Sequence, residues 1–273
     1  MTEQAEKARR FLALHHDERP LLLPNPWDVG SAKLLASLGF KALATTSSGF
    51  AATLGRLDGS VTGDEALGHA TSIVEATDLP VSADLENAFA DEPAGVVDTV
   101  RRALEAGLAG CSVEDFTGRE RDTPIYDAGL ARERVAAAAE IAHGGPVHLV
   151  LTARAENYLH GRPDLSDTIA RLQAYQDAGA DVLYAPGLTS LEDIRQLVAS
   201  VDRPVNVLAQ PGAPAVHELA AVGVSRVSVG GAFAFAALGA VIEAARELSA
   251  EGTYTFWERA RIGARAARSA FGT

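Results

Sequence analysis

Acidic side chains follow two short apolar runs at the point where each run would end as a buried strand. In VSADLENAFAD (81–91) the apolar start gives way to Asp84 and Glu86, and in CSVED it gives way to Glu114. Because side chains alternate along a strand, we expect Asp84 and Glu86 on one face. Carboxylates buried together repel one another unless a cation lies between them. The pattern therefore predicts a hard divalent cation with oxygen ligands, Mg²⁺ or alternatively Mn²⁺.

Two further segments carry groups that bind anions. TARAEN contains Arg154, a planar donor for a carboxylate, and TTSSG contains Ser47, Ser48 and Gly49, a turn whose backbone N–H groups suit the same kind of anion. Each residue alone is equally well explained as a cap, a solvated pair or a rim ion pair. Together with the two acidic segments, these residues place polar side chains at four strand ends. That combination favours a site for a small, oxygen-rich anion.

A repeated helix–glycine–strand pattern supplies the elements that position these residues. In each copy an amphipathic helical pattern stops at a glycine suited to the left-handed conformation, and a short β-prone run follows. The copies lie at 35–49, 103–118, 174–187 and 219–231, and their glycines are Gly39, Gly107, Gly179 and Gly223.

Apolar runs at 21–24, 80–84, 147–153 and 204–209 bring the strand candidates to eight. The helical patterns between them include 64–77, 94–106, 128–142, 165–178 and 190–200. Eight alternations predict a (β/α)8 TIM barrel, with the chemistry at the carboxyl ends of the strands. An open doubly wound sheet is disfavoured because no glycine-rich phosphate motif follows a strand. Residues 1–16 and 253–271 are expected to be extra helices of a single domain spanning 1–273.

Composition narrows the function classes. The chain has 273 residues, a net charge of −12 and 47% hydrophobic residues. The negative charge argues against nucleic acid and anionic membrane surfaces as partners. The charged amino-terminal segment and the absence of a long apolar run predict a soluble, cytoplasmic protein. One cysteine, Cys111, and histidines without metal-site spacing predict no zinc-type cluster.

Taken together, six sequence segments resemble those of the isocitrate lyase/phosphoenolpyruvate mutase superfamily, in the same order and with the same spacing across nearly the whole chain. The resemblance implies a (β/α)8 barrel whose last helix is often exchanged between subunits, and hence a homodimer or homotetramer. It also implies Mg²⁺ at Asp84, with Glu86, Glu114 and Asp58 holding its water ligands. The segments are NPWDVGSAKLLASLGFKALATTSSG, LGRLDG, VSADLENAF, AGLAGCSVEDF, LTARAENYL and PVNVLA.

The resemblance further implies how a small 2-oxo acid is bound and cleaved. Its carboxylate is expected at the turn of Ser47, Ser48 and Gly49 and at Arg154, with Asn206 as a further polar contact. Breaking a bond to C3 leaves an enolate whose charge lies at the metal and beside Arg154. Asp84 contacts the substrate through the metal, and the residues implied in catalysis are Asp58, Glu114 and Arg154.

The chain departs from the superfamily pattern at three places. Glu86 replaces the usual second aspartate of the metal strand, a change that a water-mediated contact tolerates. The loop at 116–127 lacks the cysteine and histidine of isocitrate and methylisocitrate lyases, and Cys111 is expected on the opposite face of its strand from Glu114, in packing. YAPG at 184–187 lacks the glutamate that those lyases place there.

These departures disfavour a true isocitrate or methylisocitrate lyase. The leading hypothesis is a Mg²⁺-dependent lyase or decarboxylase that cleaves a C–C or P–C bond of a small 2-oxo acid, with oxaloacetate-type decarboxylation needing least from the missing acid group. The alternative is a non-catalytic 2-oxo acid binder of the same superfamily. Arg119 and Arg121 are either solvated or part of a gating loop. The proton donor is left open between Tyr126, Tyr158 and Tyr184.

Overall fold

Eight parallel strands form a nearly closed barrel in a computed structural model that describes residues 2–118 and 124–272. The strands are paired in the order β1-β8-β7-β6-β5-β4-β3-β2. At the seam, the Ala44 N–H donates to the Pro24 carbonyl at 3.1 Å and the Asn25 amide donates to the Thr45 carbonyl at 2.9 Å. The strands are β1 Leu21–Leu23, β2 Leu43–Ala44, β3 Val81–Asp84, β4 Gly110–Glu114, β5 Val150–Arg154, β6 Val182–Tyr184, β7 Val205–Leu208 and β8 Arg226–Ser228.

Helices alternate with the strands and confirm the (β/α)8 fold. The predicted terminal helices are also present, and the helix near the carboxyl terminus begins later than expected, at Trp257. The helices are α1 Glu3–Leu14, α2 Val29–Ser37, α3 Ser47–Thr53, α4 Gly63–Glu75, α5 Pro93–Glu105, α6 Ala128–His143, α7 Leu165–Asp177, α8 Leu191–Ala199, α9 Val216–Ala221, α10 Ala232–Ala250 and α11 Trp257–Phe271.

Capping residues fix the helix ends. The Asp28 carboxylate accepts from the Ser31 N–H at 2.6 Å and so caps the first barrel helix, α2. The four repeated glycines all have positive φ, as predicted, and the largest value is 108° at Gly179. A β-carbon at Gly179 would also lie only 2.8 Å from that of Ala139, so both conformation and space require glycine there.

Strand alternation separates an apolar outer layer from a polar lumen. Ala83, Cys111 and Val113 are buried in the cluster between strands and helices. Cys111 therefore packs as predicted, and burial raises the pKa of its thiol to about 12. At the amino ends of the strands, α1 closes the barrel with buried Ala8 and Phe11. In the described part of the chain, no helix combines the length and apolar character needed to cross a bilayer.

Candidate active site

A cavity of about 190 Å³ opens at the carboxyl ends of the strands. Its volume is below the roughly 300–1,000 Å³ typical of pockets for drug-sized ligands, so it suits a small molecule. Its wall combines hydroxyl, amide and charged groups with a few apolar side chains such as Leu159 and Pro186. The predicted site residues that line it are Ser47, Ser48, Asp58, Asp84, Arg154 and Asn206, whereas Gly49, Glu86 and Glu114 lie outside the lining.

Arg154 at the end of β5 joins carboxylates from three segments. Its terminal nitrogens lie 2.9 Å from Asp84 of β3 and 3.1 Å from Glu114 of β4. Its Nε donates to Glu156 at 2.7 Å. Asp84 and Glu114 thus converge on one point from separate strands. All three guanidinium nitrogens of Arg154 are engaged by carboxylates, so the guanidinium is less free to meet a ligand than its sequence position indicated.

If all were ionised, the carboxyl groups around Arg154 would carry more negative charge than its single positive charge can balance. Burial raises the pKa of Glu86 to about 7, and the charges of Asp84 and Asp58 add to the effect. Burial also raises the pKa of Asp58 and, more strongly, that of Glu114. Carboxylates that resist ionisation in this way are stabilised by an additional cation. The oxygen-only donor set fits a hard divalent ion such as Mg²⁺.

The loop after β3 places Glu86 in a way that strand alternation does not describe. The strand ends at Asp84, and Glu86 has a φ of 49°. Glu86 is therefore not part of the strand, and the expectation that it shares a strand face with Asp84 was wrong. Ala88 and Phe89 also have positive φ, at 59° and 55°. Three left-handed residues other than glycine in one loop indicate backbone strain at a candidate site.

A buried arginine of α6 holds this strained loop in place. Arg134 is 1% exposed and donates to the carbonyl oxygens of Asn87 at 2.5 Å, of Asp91 at 2.6 Å and of Ala90. Its guanidinium also lies 4.3 Å from the centre of the Tyr126 ring. These contacts fix the chain that follows Asp84, and the sequence analysis did not identify Arg134.

The segment predicted as an amide-lined turn is the first turn of α3. The Ser47 N–H points to Asp84 at 3.4 Å, and the Gly49 N–H is used by the capping hydroxyl of Thr46, also at 3.4 Å. Gly49 is required by space, because a β-carbon there would lie 2.5 Å from the Thr46 methyl group. Of the predicted amide groups, that of Ser47 is therefore the one directed at the acidic cluster.

A polar row crosses the neighbouring strands in register. Arg154 pairs with Tyr184, Tyr184 with Asn206, and Asn206 with Arg226. The Asn206 side chain donates to the Ser228 hydroxyl at 3.0 Å and accepts from Arg226 at 2.8 Å. Tyr184 lines the cavity, and burial raises its pKa to about 12, so its phenol keeps its proton at neutral pH.

Glu156 and Asp115 form a supporting layer that sequence reasoning missed. Glu156 is 1% exposed and binds Arg154, and its backbone N–H donates to Asp115 at 2.8 Å. Asp115 also accepts from the Tyr175 hydroxyl at 2.6 Å and lies 3.2 Å from Arg171. The signal for Glu156 was its place two residues after Arg154 in TARAEN.

The sequence analysis also named two arginines of the loop after β4 as candidates for gating the site. Arg119 and Arg121, the candidate gating residues, lie outside the described residues.

A cluster of two histidines and an aspartate lies at the amino ends of the strands, where Asp181 is 3.0 Å from both His143 and His148. The spacing of the histidines along the sequence did not indicate this cluster. The two imidazoles stack in parallel at 4.0 Å, an arrangement in which one ion cannot lie in both ring planes. The cluster is remote from the cavity.

Known proteins match this chain over most of its length. A family model described as phosphoenolpyruvate phosphomutase matches residues 11–249. A crystal structure from Burkholderia cenocepacia, provisionally described as a lyase or mutase, has a TM-score of 0.91 and 54% identity, covering 94% of this chain and 92% of that one.

Two relatives of named activity are also similar. The 2-methylisocitrate lyase of Halalkalibacterium halodurans is 30% identical over 211 residues, which are 74% of this chain and 67% of the relative. The oxaloacetate decarboxylase of Chromohalobacter salexigens is 30% identical over 250 residues, which are 87% of this chain and 83% of the relative.

Proposed function

This chain belongs to the phosphoenolpyruvate phosphomutase family, and on that premise we propose that it is a Mg²⁺-dependent lyase or decarboxylase of a small 2-oxo acid. The observation that carries the proposal is the convergence of Asp84 and Glu114 on Arg154, in a cluster of which Asp84 and Arg154 line one small cavity. With a divalent cation bound among its carboxylates, such a cluster would suit a reaction in which negative charge develops on the substrate, because the fixed positive charges of the ion and Arg154 stabilise that charge without reorganising.

The acidic cluster supplies the ligands of the cation. Asp84 lines the cavity and is the proposed direct ligand, with Asp58, Glu86 and Glu114 holding water molecules around the ion. The raised pKa values of the last three indicate that a further positive charge would stabilise this cluster. Bound Mg²⁺ would supply Lewis acidity, stabilising an enolate oxygen.

The residues of the chain account for the remaining steps. The bond from C3 to its leaving group breaks, its electron pair passes into the enolate, and the new negative charge lies beside the Arg154 guanidinium. Tyr184 is the proposed proton donor to C3, because it alone of the three candidate tyrosines lines the cavity in the described part of the chain. Tyr126 instead donates to Asp91 at 2.5 Å.

Decarboxylation of a substrate such as oxaloacetate fits this chain better than methylisocitrate cleavage. The loop at 116–127 has neither the cysteine nor the histidine of the lyase signature. Leu159 and Pro186 are apolar residues of the cavity lining, and Pro186 belongs to the YAPG segment in which the lyases place a glutamate for a distal carboxylate. Apolar surroundings disfavour a charged carboxylate and favour its loss as neutral CO₂. The similarity to an oxaloacetate decarboxylase over most of both chains supports the same reaction.

Turnover assays test the proposal directly. Purified protein with Mg²⁺ is mixed separately with oxaloacetate, phosphonopyruvate, phosphoenolpyruvate and methylisocitrate, and pyruvate and phosphate are measured. We expect pyruvate from oxaloacetate above the metal-catalysed background, and loss of this activity in D84N. Phosphate from phosphonopyruvate would instead identify P–C cleavage. Tight binding of oxaloacetate with the ligand recovered unchanged would favour a binding protein, and no turnover or binding of any compound would refute the proposal.

We also propose a homodimer or homotetramer in which the last helices are exchanged between subunits. In this chain α10 and α11 expose large apolar side chains, including Val241 at 65% and Ile262 at 73%. Light scattering after size-exclusion chromatography tests this, and a monomer at micromolar concentration would contradict it.

A further inference from the structure

The loop after β3 keeps a conformation that its own residues do not favour. Glu86, Ala88 and Phe89 have φ values of 49°, 59° and 55°, in the left-handed region where glycine is normally found. A residue with a β-carbon stays there only when surrounding contacts hold the backbone. The loop begins directly after Asp84, the proposed ligand of the cation, so the contacts that hold it bear on the site.

Arg134 of α6 binds the main chain of this loop at three points. Its guanidinium, in a residue that is 1% exposed, donates to the carbonyl oxygens of Asn87, Ala90 and Asp91. Tyr126 holds the guanidinium in place, because its ring centre lies 4.3 Å away. The Tyr126 hydroxyl also donates to the Asp91 side chain at 2.5 Å and accepts from that of Asn87 at 3.3 Å. Arg134 is therefore a fixed donor to one short segment of backbone.

Other carbonyl groups of the loop are bound as well. The Thr99 hydroxyl of α5 donates to the Ala88 carbonyl at 2.7 Å, and the Ala88 N–H donates to the Leu85 carbonyl at 2.7 Å. The Glu86 carbonyl accepts from the Glu114 N–H at 3.0 Å. This last bond joins the main chains of two members of the acidic cluster. The position of the loop backbone is thus transmitted directly to the cluster.

The Glu86 carboxylate, in contrast, is left without a partner. Within residues 2–118 and 124–272, no N–H or O–H group donates to it, although the residue is half-buried. The negative charges that act on it are those of Asp84 and Asp58. A strained loop that is bound along its main chain, and whose acidic side chain stays unbound, is suited to presenting that side chain to a ligand.

Arg134 itself does not reach the cavity. It belongs to the layer of helices around the barrel and is not among the residues that line the cavity. Any influence on the site therefore passes through the loop. Without the guanidinium, three carbonyl oxygens would lose their donor, and the left-handed residues would relax toward ordinary φ values. Because Glu86 is one of those residues, its carboxylate would move with the backbone.

We propose that Arg134 is a positioning residue of the cation site, because its bonds to the loop backbone direct the Glu86 carboxylate toward the ion. This inference rests on the proposed function, in which Glu86 holds a water molecule of the bound cation. Arg134 contacts neither the ion nor the substrate and acts through Glu86. Its effect on cation affinity should therefore disappear once the Glu86 carboxylate has been removed.

A double-mutant cycle separates this role from a general effect on stability. Calorimetry at pH 8 measures the Mg²⁺ affinity of the wild type, R134M, E86Q and the double variant R134M/E86Q. R134M should bind Mg²⁺ about tenfold more weakly than the wild type, at the lower end of the usual effect of residues that orient a metal ligand. In the E86Q background the same change should lower the affinity less than about twofold.

A matched control removes a core side chain on the other side of the barrel. Ile194 of α8 is 1% exposed, so I194A leaves a cavity and lowers stability. We expect its Mg²⁺ affinity to stay within about twofold of that of the wild type.

The outcomes separate this inference from the proposed function. Wild-type affinity in R134M, an equal loss with and without the Glu86 carboxylate, or an equal loss in I194A would overturn the inference, whereas Mg²⁺ binding by the wild type would still stand. A wild type that binds no Mg²⁺ would refute both. If R134M does not fold, the cycle is run with R134K, which keeps the charge but lacks the planar fork that reaches several carbonyl groups. A loss of at least about threefold that vanishes in E86Q supports the inference, and wild-type affinity in R134K overturns it.

Discussion

Cation binding at the acidic cluster is expected to depend on pH through Glu86. The pKa of Glu86 is raised to about 7, chiefly by burial and then by the charges of Asp84 and Asp58. A bound cation favours the ionised carboxylate, so binding releases the proton and the affinity rises with pH up to the pKa of Glu86 and levels off above it. The ionised fraction is about 9% at pH 6 and about 91% at pH 8, so the affinity should rise roughly tenfold between them.

Isothermal titration calorimetry with Mg²⁺ or Mn²⁺ at pH 6, 7 and 8 measures this rise. Buffers of different ionisation enthalpy report the number of protons released. E86Q removes the titrating group, and its affinity should change less than that of the wild type over this range. E92Q removes an exposed carboxylate six residues further along the chain and serves as the control. Equal pH dependence in the wild type and E86Q would refute the reasoning.

Three further changes probe other parts of the account. R134M leaves the carbonyl groups of the loop after β3 without their donor and should lower the free energy of unfolding in urea by about 3–5 kcal/mol. R132M, at an exposed position, is the control, and a loss of stability in R134M no larger than in R132M would contradict this. Y184F should lower kcat for oxaloacetate roughly a hundredfold with little change in Tm, and an unchanged kcat would exclude Tyr184 as proton donor. Because the pKa of His15 is about 3 when folded and 6.5 when unfolded, the unfolded chain binds more protons between these values. The wild type should therefore lose stability relative to H15Q as pH falls below 6.5, by at most about 1.4 kcal/mol per pH unit, and parallel pH profiles would contradict this.

The repeated pattern was sufficient to predict the barrel. Glycine at each helix end and alternation along each strand are local signals, and they located all eight strands within a few residues. At β5, which begins at Val150 rather than 147, the difference coincides with a long-range contact, because the His148 side chain binds Asp181 just before the strand starts. Local periodicity cannot show such a contact, because its partner lies 33 residues away.

The candidate site was only partly predictable for the same reason. Asp84, Glu114 and Arg154 end their strands, so topology alone brings them together. Glu86 lies in a left-handed loop, where the period of a strand no longer applies. Arg134 and Arg226 act through contacts between distant elements. The signal for Arg226 was a charged residue starting the short apolar run RVSV, at a position whose side chain alternation directs into the lumen.

The most direct test of the account is the position of a bound divalent ion. A crystal soaked with Mn²⁺ and pyruvate should show an anomalous peak about 2.0–2.2 Å from an Asp84 oxygen, the distance expected for a small hard cation, with the 2.9 Å contact between Asp84 and Arg154 lengthened or replaced. A cavity with no anomalous peak, and with Asp84 still paired to Arg154, would contradict the proposal that these carboxylates gather around a metal.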